Sequence, residues 1–375
     1  MGRRIMRIGI LTSSRADFGI YQPLINELVL EKYFFNVEII AFGTHLSKYH
    51  GFTLSDIKNK YNIKIHEVSS LLVNDSQASV ATSYGLTTLK FADFWDNNIF
   101  DLVFCLGDRF EMNAAVQTGI PFGVKFAHIH GGETTLGAID NIYRHQISLA
   151  SQLHFTSTEK FKERVTELIQ SDKNVYNVGA LSLSEIDQFI PLPKHKLLSA
   201  FNIKDESYCL VTFHPETNAF DSNEKYALEM KKALAKLTEQ INLVITMPNA
   251  DTMGSVYREQ LFLLKEEKNE KVFLVENFGK ENYFSAMYYS DFLLGNTSSG
   301  IIEAASFNKY VVNVGDRQKG RLQSENVINA KFDSKEILAS ASICLKQKDF
   351  SGENRYYKKG TSKEIVEKIK NYEEL

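Results

Sequence analysis

The segment 294–307, LGNTSSGIIEAASF, combines a turn of small residues with a carboxylate at a predicted strand-to-helix junction. Small residues let backbone N–H groups approach an anion, and the start of a helix carries partial positive charge. Glu303 repels phosphate, but it can accept hydrogen bonds from vicinal hydroxyls such as those of a ribose. The spacing therefore predicts a nucleotide site that includes Ser298, Ser299 and Gly300. The structural alternative is a capped helix in which Ser298 or Ser299 is the N-cap.

Five other side chains can exchange protons, and they lie at or near the ends of predicted strands except for one, Asp140, which precedes a predicted helix. Four are in the first half of the chain, and the fifth is in the second half: Asp108, His130, Glu133, Asp140 and His214. Burial can shift the pKa values of carboxylates and imidazoles towards neutrality, so residues of these types are suited to general acid–base roles. A helix N-cap is the structural alternative for Asp108 and Asp140, and a histidine without a catalytic role is the alternative for His214.

Alternating strand and helix patterns must position these groups. Apolar runs typical of strands recur along the chain at 7–13, 36–43, 101–108, 122–132, 153–158, 208–214, 242–249, 271–277, 291–296 and 310–315. Segments with helical spacing separate them, which favours an α/β fold with parallel sheets covered on both faces. In such sheets the ligand lies beyond the carboxyl ends of the strands.

The pattern restarts near residue 180, which predicts two similar domains. We expect an N-terminal Rossmann-like domain over 1–180 with the catalytic residues, and a C-terminal Rossmann-like domain over 181–355 that binds the nucleotide. The segment 356–375 is predicted to be a helix, and docking on the N-terminal domain is one arrangement for it.

Composition excludes several classes of protein. The net charge of −3 comes without a long basic stripe, so nucleic acid is not an expected partner. The three cysteines are scattered, which predicts neither a disulfide framework nor a metal cluster. A signal peptide and an apolar run of membrane-spanning length are both missing from the sequence pattern. We therefore expect a cytoplasmic protein without a membrane partner.

A set of motifs carries a family resemblance. They occur in order as SSRADFG (13–19), LGDRFEM (106–112), HIHGGE (128–133), GAIDNIYRHQIS (137–148), FHPET (213–217), GNTSSGIIEA (295–304) and GDRQKGR (315–321). The chain resembles the hydrolysing UDP-N-acetylglucosamine 2-epimerases of bacterial sialic and legionaminic acid synthesis. The resemblance implies two Rossmann-like domains that face each other across a cleft, as in GT-B glycosyltransferases. It also implies that UDP is held mainly by the C-terminal domain.

The implied reaction uses no cofactor and no catalytic metal. UDP is eliminated across C1–C2 to give a 2-acetamidoglycal, and water then adds to leave the free sugar with C2 inverted. Asp108 and Asp140 match acidic positions that the family uses in catalysis. His130 stands where many relatives carry a catalytic glutamate, so the base remains open between His130 and Glu133. His214 matches the family histidine that lies near the diphosphate.

Other residues are expected to bind the UDP-sugar. Arg15 and Arg144 resemble diphosphate and sugar anchors, because a guanidinium fork suits phosphate oxygens. An ordinary solvated helix arginine is the alternative for Arg144. Asn249 follows a predicted strand, and Arg321 ends the GDRQKGR motif.

The substrate and the class of protein each have alternatives. UDP-N,N′-diacetylbacillosamine and UDP-N-acetylglucosamine are both acceptable substrates, and the segment GETTLGAIDNIYRHQ is closer to legionaminic acid enzymes. A GT-B glycosyltransferase that uses a UDP-sugar donor, or a non-catalytic nucleotide-sugar sensor, would keep the nucleotide site. A homo-oligomer, either dimer or tetramer, is expected.

Overall fold

A computed structural model describes residues 4–48, 52–72, 74, 76–248, 253–347 and 349–372. The chain divides into two compact units. Unit 1 comprises the described residues within 1–133, 140–187 and 356–375, and unit 2 comprises 134–139 and 188–355. The short segment 134–139 therefore packs with unit 2, whereas its neighbours in sequence pack with unit 1. The domain boundaries at 180 and 355 stay predictions.

Strands and helices alternate along the described chain. The strands are β1 Met6–Thr12, β2 Phe35–Phe42, β3 Lys64–Val68, β4 Leu102–Leu106, β5 Phe126–Ile129, β6 Leu153–Thr156, β7 Val175–Asn177, β8 Tyr208–Thr212, β9 Asn242–Thr246, β10 Val272–Val275, β11 Phe292–Gly295, β12 Val311–Val314 and β13 Val327–Ala330. The helices are α1 Arg15–Leu30, α2 Leu54–Lys60, α3 Gln77–Asn97, α4 Phe110–Gly119, α5 Asp140–Ala150, α6 Glu159–Ile169, α7 Lys194–Ala200, α8 Asn223–Leu237, α9 Gly254–Glu267, α10 Gly279–Tyr289, α11 Ser298–Ile302, α12 Ser334–Lys346 and α13 Thr361–Lys370.

Unit 1 is built on a sheet with the strand order β3-β2-β1-β4-β5-β6-β7, in which all pairs are parallel. Side chains on one face, such as Ile8 and Ile10, pack in a core that also contains Tyr21 of α1 and Ile365 of α13. The other face packs against α3 and α4, around the buried ring of Trp95. Because apolar surface is buried on both faces, the central strands are apolar along their whole length.

Unit 2 repeats this plan. Its parallel strands follow the order β10-β9-β8-β11-β12-β13. A core on one face brings α8, α9 and α12 against the sheet, with Met230, Leu261 and Ile337 among the buried side chains. In each sheet the chain adds strands first on one side of a central strand and then on the other side. The central strand is β1 in unit 1 and β8 in unit 2. This strand order predicts a ligand at the carboxyl end of the central strands in each unit.

The final helix α13 packs on α1 within unit 1. Ile365 and Ile369 are buried in the shared core. Lys370 Nζ lies 2.7 Å from Glu31 Oε1, near the end of α1. Among the described residues, no helix is both long enough and apolar enough to span a membrane.

Candidate active site

The carboxyl ends of β4 and β5 bring two predicted catalytic residues together. The strands are neighbours in the sheet, and Asp108 follows the first while His130 follows the second. The Asp108 carboxylate is paired with the guanidinium of Arg144 on α5. The Asp108 side chain is 23% exposed, whereas that of Arg144 is 1% exposed. This arrangement presents one partly accessible carboxylate against a buried cation.

The structure excludes the structural alternative for two residues, and their functional roles stay predictions. The N-cap residue of α4 is Arg109, and the Asp108 carboxylate binds Arg144, so Asp108 is not a helix N-cap. Arg144 is buried, so it is not an ordinary solvated helix arginine. Asp140 is the first residue of α5 and is partly buried. Burial, followed by the charge of Asp140, raises the pKa of Tyr143 one turn further along the helix.

His130 and Glu133 form a buried hydrogen-bonded pair. His130 Nδ1 lies 2.7 Å from Glu133 Oε1, and the Ser157 hydroxyl donates to the same oxygen at 2.9 Å. The backbone N–H of Leu181 points at His130 Nε2 from 3.4 Å. Since Nε2 is an acceptor in that contact, the neutral ring carries its proton on Nδ1, and Nδ1–H donates a hydrogen bond to Glu133. Glu133 is 0% exposed and therefore acts on the ring rather than on solvent.

Arg144 connects this pair to Asp108. Its Nη1 donates to the backbone oxygen of His130 at 2.9 Å and lies 3.8 Å from Glu133 Oε2. One buried cation thus faces two carboxylates and fixes the backbone that carries the imidazole. Buried ionic groups need such partners, because an isolated buried charge is strongly destabilising.

The backbone at this turn is constrained as well. His130 has a φ of +65°, which is uncommon for a residue with a side chain. Gly132 has a φ of +76°, and a Cβ there would lie 2.3 Å from the backbone oxygen of Phe161 on α6. Arg164 Nη1 also donates to the Gly132 oxygen at 3.0 Å. The surrounding contacts hold His130 in a sparsely populated conformation, and such residues cluster at functional sites.

His128, two residues earlier, supports this turn from inside the sheet. Its Nε2 donates to the backbone oxygen of Gly107 at 2.8 Å, and its Nδ1 lies 3.0 Å from the Ser148 hydroxyl. Burial lowers the pKa of His128 to about 3, so the ring is neutral at physiological pH. We therefore assign His128 to the packing of β5 on α5.

The β1–α1 turn carries Arg15 as the first residue of its helix. Ser14 is the N-cap, and Asp17 completes a capping box with it. Asp17 is buried together with His45, which belongs to a short turn after β2. Sequence reasoning did not select Asp17 or His45, although the Ser-x-x-Asp spacing of the capping box was a visible signal.

In unit 2, His214 follows β8 and is held by Asn296, which follows β11. The His214 N–H donates to Asn296 Oδ1 at 2.7 Å, and Asn296 Nδ2 donates to the His214 oxygen at 2.8 Å. Gly295 precedes Asn296 with a φ of +143°, and a Cβ there would lie 1.8 Å from the Thr212 oxygen. The two strand ends therefore approach each other at a distance that only glycine permits.

The helix that follows the predicted nucleotide turn is short. Helix α11 has five residues and is followed by a 3₁₀ turn, Ala304–Phe307, instead of a continuous helix. Thr297 is the N-cap, so neither Ser298 nor Ser299 has the capping role. The Ser299 hydroxyl lies 2.6 Å from that of Tyr283, and burial raises the pKa of this tyrosine to about 12. Gly300 and Glu303 are both buried.

The loop after β12 contacts residues that follow β8 and β11. Glu216 Oε1 accepts hydrogen bonds from the backbone N–H groups of Asp316 and Arg317, at 2.5 and 3.1 Å. Burial raises the pKa of Glu216. Gln318 Nε2 donates to the Asn296 oxygen at 2.8 Å. Arg321 follows in this loop and is partly buried. Asn249 lies outside the described residues.

The segment 134–139 is bound by these loops within unit 2. Asn218 Nδ2 donates to the Leu136 oxygen at 2.7 Å, and the Leu136 N–H donates to the Lys319 oxygen at 3.0 Å. A Cβ on Gly137 would lie 2.5 Å from the backbone carbon of Asp316, so the segment packs tightly. Its flanking residues in sequence are Glu133 and Asp140. Among the described residues, no group of three or more His, Cys, Asp or Glu could hold a metal ion.

Comparison with known proteins identifies the family. A family model described as UDP-N-acetylglucosamine 2-epimerase matches residues 29–370. The chain belongs to this family. A curated epimerase relative from Campylobacter jejuni, a GDP/UDP-N,N′-diacetylbacillosamine 2-epimerase (hydrolyzing), is 35% identical over 92% of this chain and 88% of its own length. A UDP-N,N′-diacetylbacillosamine 2-epimerase (hydrolyzing) from Legionella pneumophila is 31% identical over 98% of this chain and 96% of its own length.

Solved structures of epimerases share the fold. The UDP-GlcNAc 2-epimerase of Methanocaldococcus jannaschii, in complex with UDP-GlcNAc and UDP, matches with a TM-score of 0.81 at 16% identity, over 98% of this chain and 100% of that one. A plant protein, UGT73P12 from Glycyrrhiza uralensis, matches with a TM-score of 0.61 at 11% identity, over 98% and 96%. The fold is GT-B-like, as the resemblance implied. Because both matches share it, the fold alone does not distinguish an epimerase from other proteins with this architecture.

Proposed function

We propose that this epimerase family member is a hydrolysing 2-epimerase. It converts a UDP-2-acetamido sugar into the free, C2-inverted sugar and UDP. The observation that carries the proposal is the buried network of Asp108, Arg144, His130 and Glu133 at the ends of β4 and β5. A simple nucleotide-sugar binding protein has no need for acid–base groups held in this way.

The reaction needs one proton transfer in its elimination step and two in its hydration step. In the elimination, a base removes the proton on C2, the C1–O bond to UDP breaks, and the new C1–C2 double bond forms a 2-acetamidoglycal. In the hydration, a base takes a proton from water as its oxygen bonds to C1, and an acid protonates C2 from the opposite face. No electrons are gained or lost overall, so the chemistry needs no redox cofactor.

We assign these transfers to Asp108 and His130. Of the two carboxylates beside Arg144, Asp108 is the one with exposed surface, and His130 has an acceptor lone pair on Nε2 whose contact with the Leu181 N–H is long, at 3.4 Å. Glu133 acts as a positioning residue, because its Oε1 accepts a hydrogen bond from His130 Nδ1–H and thereby fixes the tautomer of the ring. Asp140, at the start of α5, remains a further candidate acid.

Unit 2 is proposed to hold the UDP moiety. The backbone N–H groups of Ser298, Ser299 and Gly300 are proposed to bind phosphate oxygens, and Glu303 is proposed to accept hydrogen bonds from the ribose hydroxyls. His214 stabilises the charge that develops on the departing diphosphate. Further anchors are expected at Arg15, Asn249 and Arg321. The two hydrogen bonds from the Asn296 side chain to the His214 backbone support this role, because they hold the His214 backbone in a single arrangement.

We propose UDP-N,N′-diacetylbacillosamine as the preferred substrate and UDP-N-acetylglucosamine as the alternative. The two curated relatives described above carry the first sugar in their names. It has an acetamido group at C4 and no hydroxyl at C6, so its pocket should be more apolar there and offer a partner to the amide. The product would then enter nonulosonic acid synthesis of the legionaminic or sialic type.

A proton NMR time course in deuterated water tests the reaction. Each nucleotide sugar is incubated with the enzyme alone, without NAD and without a sugar acceptor. We expect UDP and a free, C2-inverted sugar in equal amounts, with deuterium at C2, and a higher kcat/KM for the diacetylbacillosamine substrate.

Three other results would contradict the proposal. A requirement for an acceptor would indicate a GT-B glycosyltransferase, and a requirement for NAD would indicate redox epimerisation. Accumulation of the C2-inverted sugar still linked to UDP would exclude hydrolysis. A higher kcat/KM for UDP-N-acetylglucosamine would reverse only the choice of substrate.

A further inference from the structure

The carboxylate of Asp17 is surrounded by hydrogen-bond donors from the turn that precedes it. Its Oδ2 accepts from the Ser13 N–H at 2.9 Å, the Ser13 hydroxyl at 3.0 Å and the Ser14 N–H at 3.1 Å. Its Oδ1 accepts from the Thr12 hydroxyl at 2.5 Å. These backbone donors are therefore occupied by a side chain of the same unit, and they are not the groups that would bind a substrate phosphate.

A buried relay continues from Asp17 through His45. Thr12 Oγ1 lies 2.9 Å from His45 Nε2, and His45 Nδ1 lies 2.7 Å from the Thr53 hydroxyl. Since Thr12 donates its proton to Asp17, its oxygen accepts from His45 Nε2–H, and His45 Nδ1 shares a hydrogen bond with the Thr53 hydroxyl. His45 is 0% exposed and Asp17 is 4% exposed. The relay thus joins β1, the turn after β2 and the start of α2.

The turn is also fixed to the neighbouring strand by its backbone. The N–H and the hydroxyl of Thr44 both donate to the Ser13 oxygen, at 2.8 and 3.0 Å. A Cβ on Gly43, which has a φ of +59°, would lie 2.6 Å from the same oxygen. The residue next to this turn is Arg15, at the first position of α1. The backbone at Arg15 is therefore held in a fixed position relative to β1.

We propose that Asp17 and His45 are positioning residues for Arg15. This inference rests on the proposed function, in which Arg15 anchors the UDP-sugar. Fixing the backbone that carries a guanidinium at a strand end, before the substrate arrives, lowers the entropy lost on binding and in the transition state. The relay supplies that order without touching the substrate. Nothing in the chemistry of elimination or hydration requires a proton from Asp17 itself.

A double-mutant cycle in the full-length enzyme tests this role. The variants are Arg15→Ala, Asp17→Asn and the combination, measured by kcat/KM for UDP release. Both oxygens of Asp17 accept hydrogen bonds, so the amide nitrogen of asparagine meets a donor in either orientation. We expect each single variant to lose at least about 10-fold in kcat/KM, and the combination to lose no more than about 3-fold beyond Arg15→Ala.

Additive losses would overturn the proposal, because a residue that acts through Arg15 has nothing to position once Arg15 is removed. An unchanged kcat/KM in Arg15→Ala would remove the anchor and the positioning role together, while wild-type turnover would still support the 2-epimerase assignment. Failure of the wild-type enzyme to release UDP would instead refute the proposed function.

A second variant protects the test against misfolding. Thr53→Val removes the hydroxyl at the far end of the relay and keeps the shape of the side chain. It should show a smaller loss in kcat/KM with the same non-additivity towards Arg15→Ala, and additivity here would also overturn the proposal. The matched control is Asp56→Asn, which changes an exposed acid on α2 and should leave kcat/KM unchanged.

Discussion

At the residue scale, the arrangement around Arg144 places one accessible carboxylate beside charges that are almost entirely buried. Asp108 keeps 23% of its side-chain surface, whereas Glu133 and Arg144 keep about 1% each. Removing one partner of a buried ion pair leaves an uncompensated charge, so variants at Glu133 or Arg144 confound catalysis with stability. Replacing Asp108 also removes a charge beside Arg144, but Glu133 Oε2 remains 3.8 Å from that guanidinium. Asp108 is therefore the residue at which catalysis is tested with the smallest effect on buried charge.

We predict that Asp108→Asn lowers kcat by ~10²–10⁴-fold, the usual effect of losing one acid–base group. Asparagine keeps the shape and can still accept a hydrogen bond from Arg144, so UDP affinity should be nearly unchanged. Single-turnover kinetics and calorimetric titration with UDP measure the two quantities. Asp101→Asn, at the other end of β4, is the control and should retain wild-type turnover. Near-wild-type turnover of Asp108→Asn would remove Asp108 from the mechanism.

At the scale of elements, the short helix α11 places Glu303 immediately after its last residue. Glu303→Ala is expected to weaken UDP binding by about 1–3 kcal/mol, since a hydrogen bond between a ribose hydroxyl and a charged acceptor is lost. The chemical step should be less affected than binding. Titration with UDP measures the loss, and Glu325→Ala, an exposed acid of the same unit, is the control. Unchanged UDP affinity of Glu303→Ala would move the ribose away from α11.

The central strands could be predicted from sequence because they are buried on both faces and therefore apolar throughout. The strands β3, β7 and β13 were not predicted, since β3 and β13 carry polar or exposed positions and β7 has only three residues. The sequence does not show where α11 ends, because the apolar and small residues after Glu303 continue a helical pattern although the backbone tightens into a 3₁₀ turn.

Strand ends indicated Asp108 and His130, but their pairing partners required the structure. The order of the strands in the sheet decides which strand ends are neighbours. A single sequence does not reveal that order, so the proximity of the ends of β4 and β5 could not be predicted. Asp17 resembled an ordinary residue in the first turn of a helix. Its contact with His45 joins residues 28 positions apart, and a lone buried histidine leaves no periodic signal in the sequence.

At the scale of the whole molecule, unit 1 contains two buried neutral histidines on neighbouring strands. His128 on β5 and His154 on β6 are partners in the register of the sheet and are 0% exposed. Burial lowers the pKa of His128 to about 3 and that of His154 to about 4. The positive charge of Arg144 lies near His128 and acts in the same direction.

These shifts predict that unit 1 loses stability in mild acid. An unfolded histidine titrates near 6.5, so below that pH the unfolded chain binds protons that the folded chain refuses, and stability falls as the pH decreases. At pH 5 each histidine should contribute a loss on the order of 2 kcal/mol relative to pH 7.5. Glu38 does not act in this window. Although burial raises its pKa, its hydrogen bonds to Arg7 and His66 lower it to about 2, so its contribution is lost only below about pH 4.5.

Urea unfolding at pH 7.5 and pH 5.0 measures the effect. The chain has a single tryptophan, Trp95, which is buried in unit 1, so its fluorescence follows that unit alone. His154→Phe replaces the imidazole with a ring that cannot be protonated and should remove about 2 kcal/mol of the acid-dependent loss. His195→Phe, at an exposed position on α7, is the matched control and should leave the difference between the two pH values unchanged. Equal unfolding free energies of the wild-type protein at both pH values would show that these histidines are not held neutral by burial.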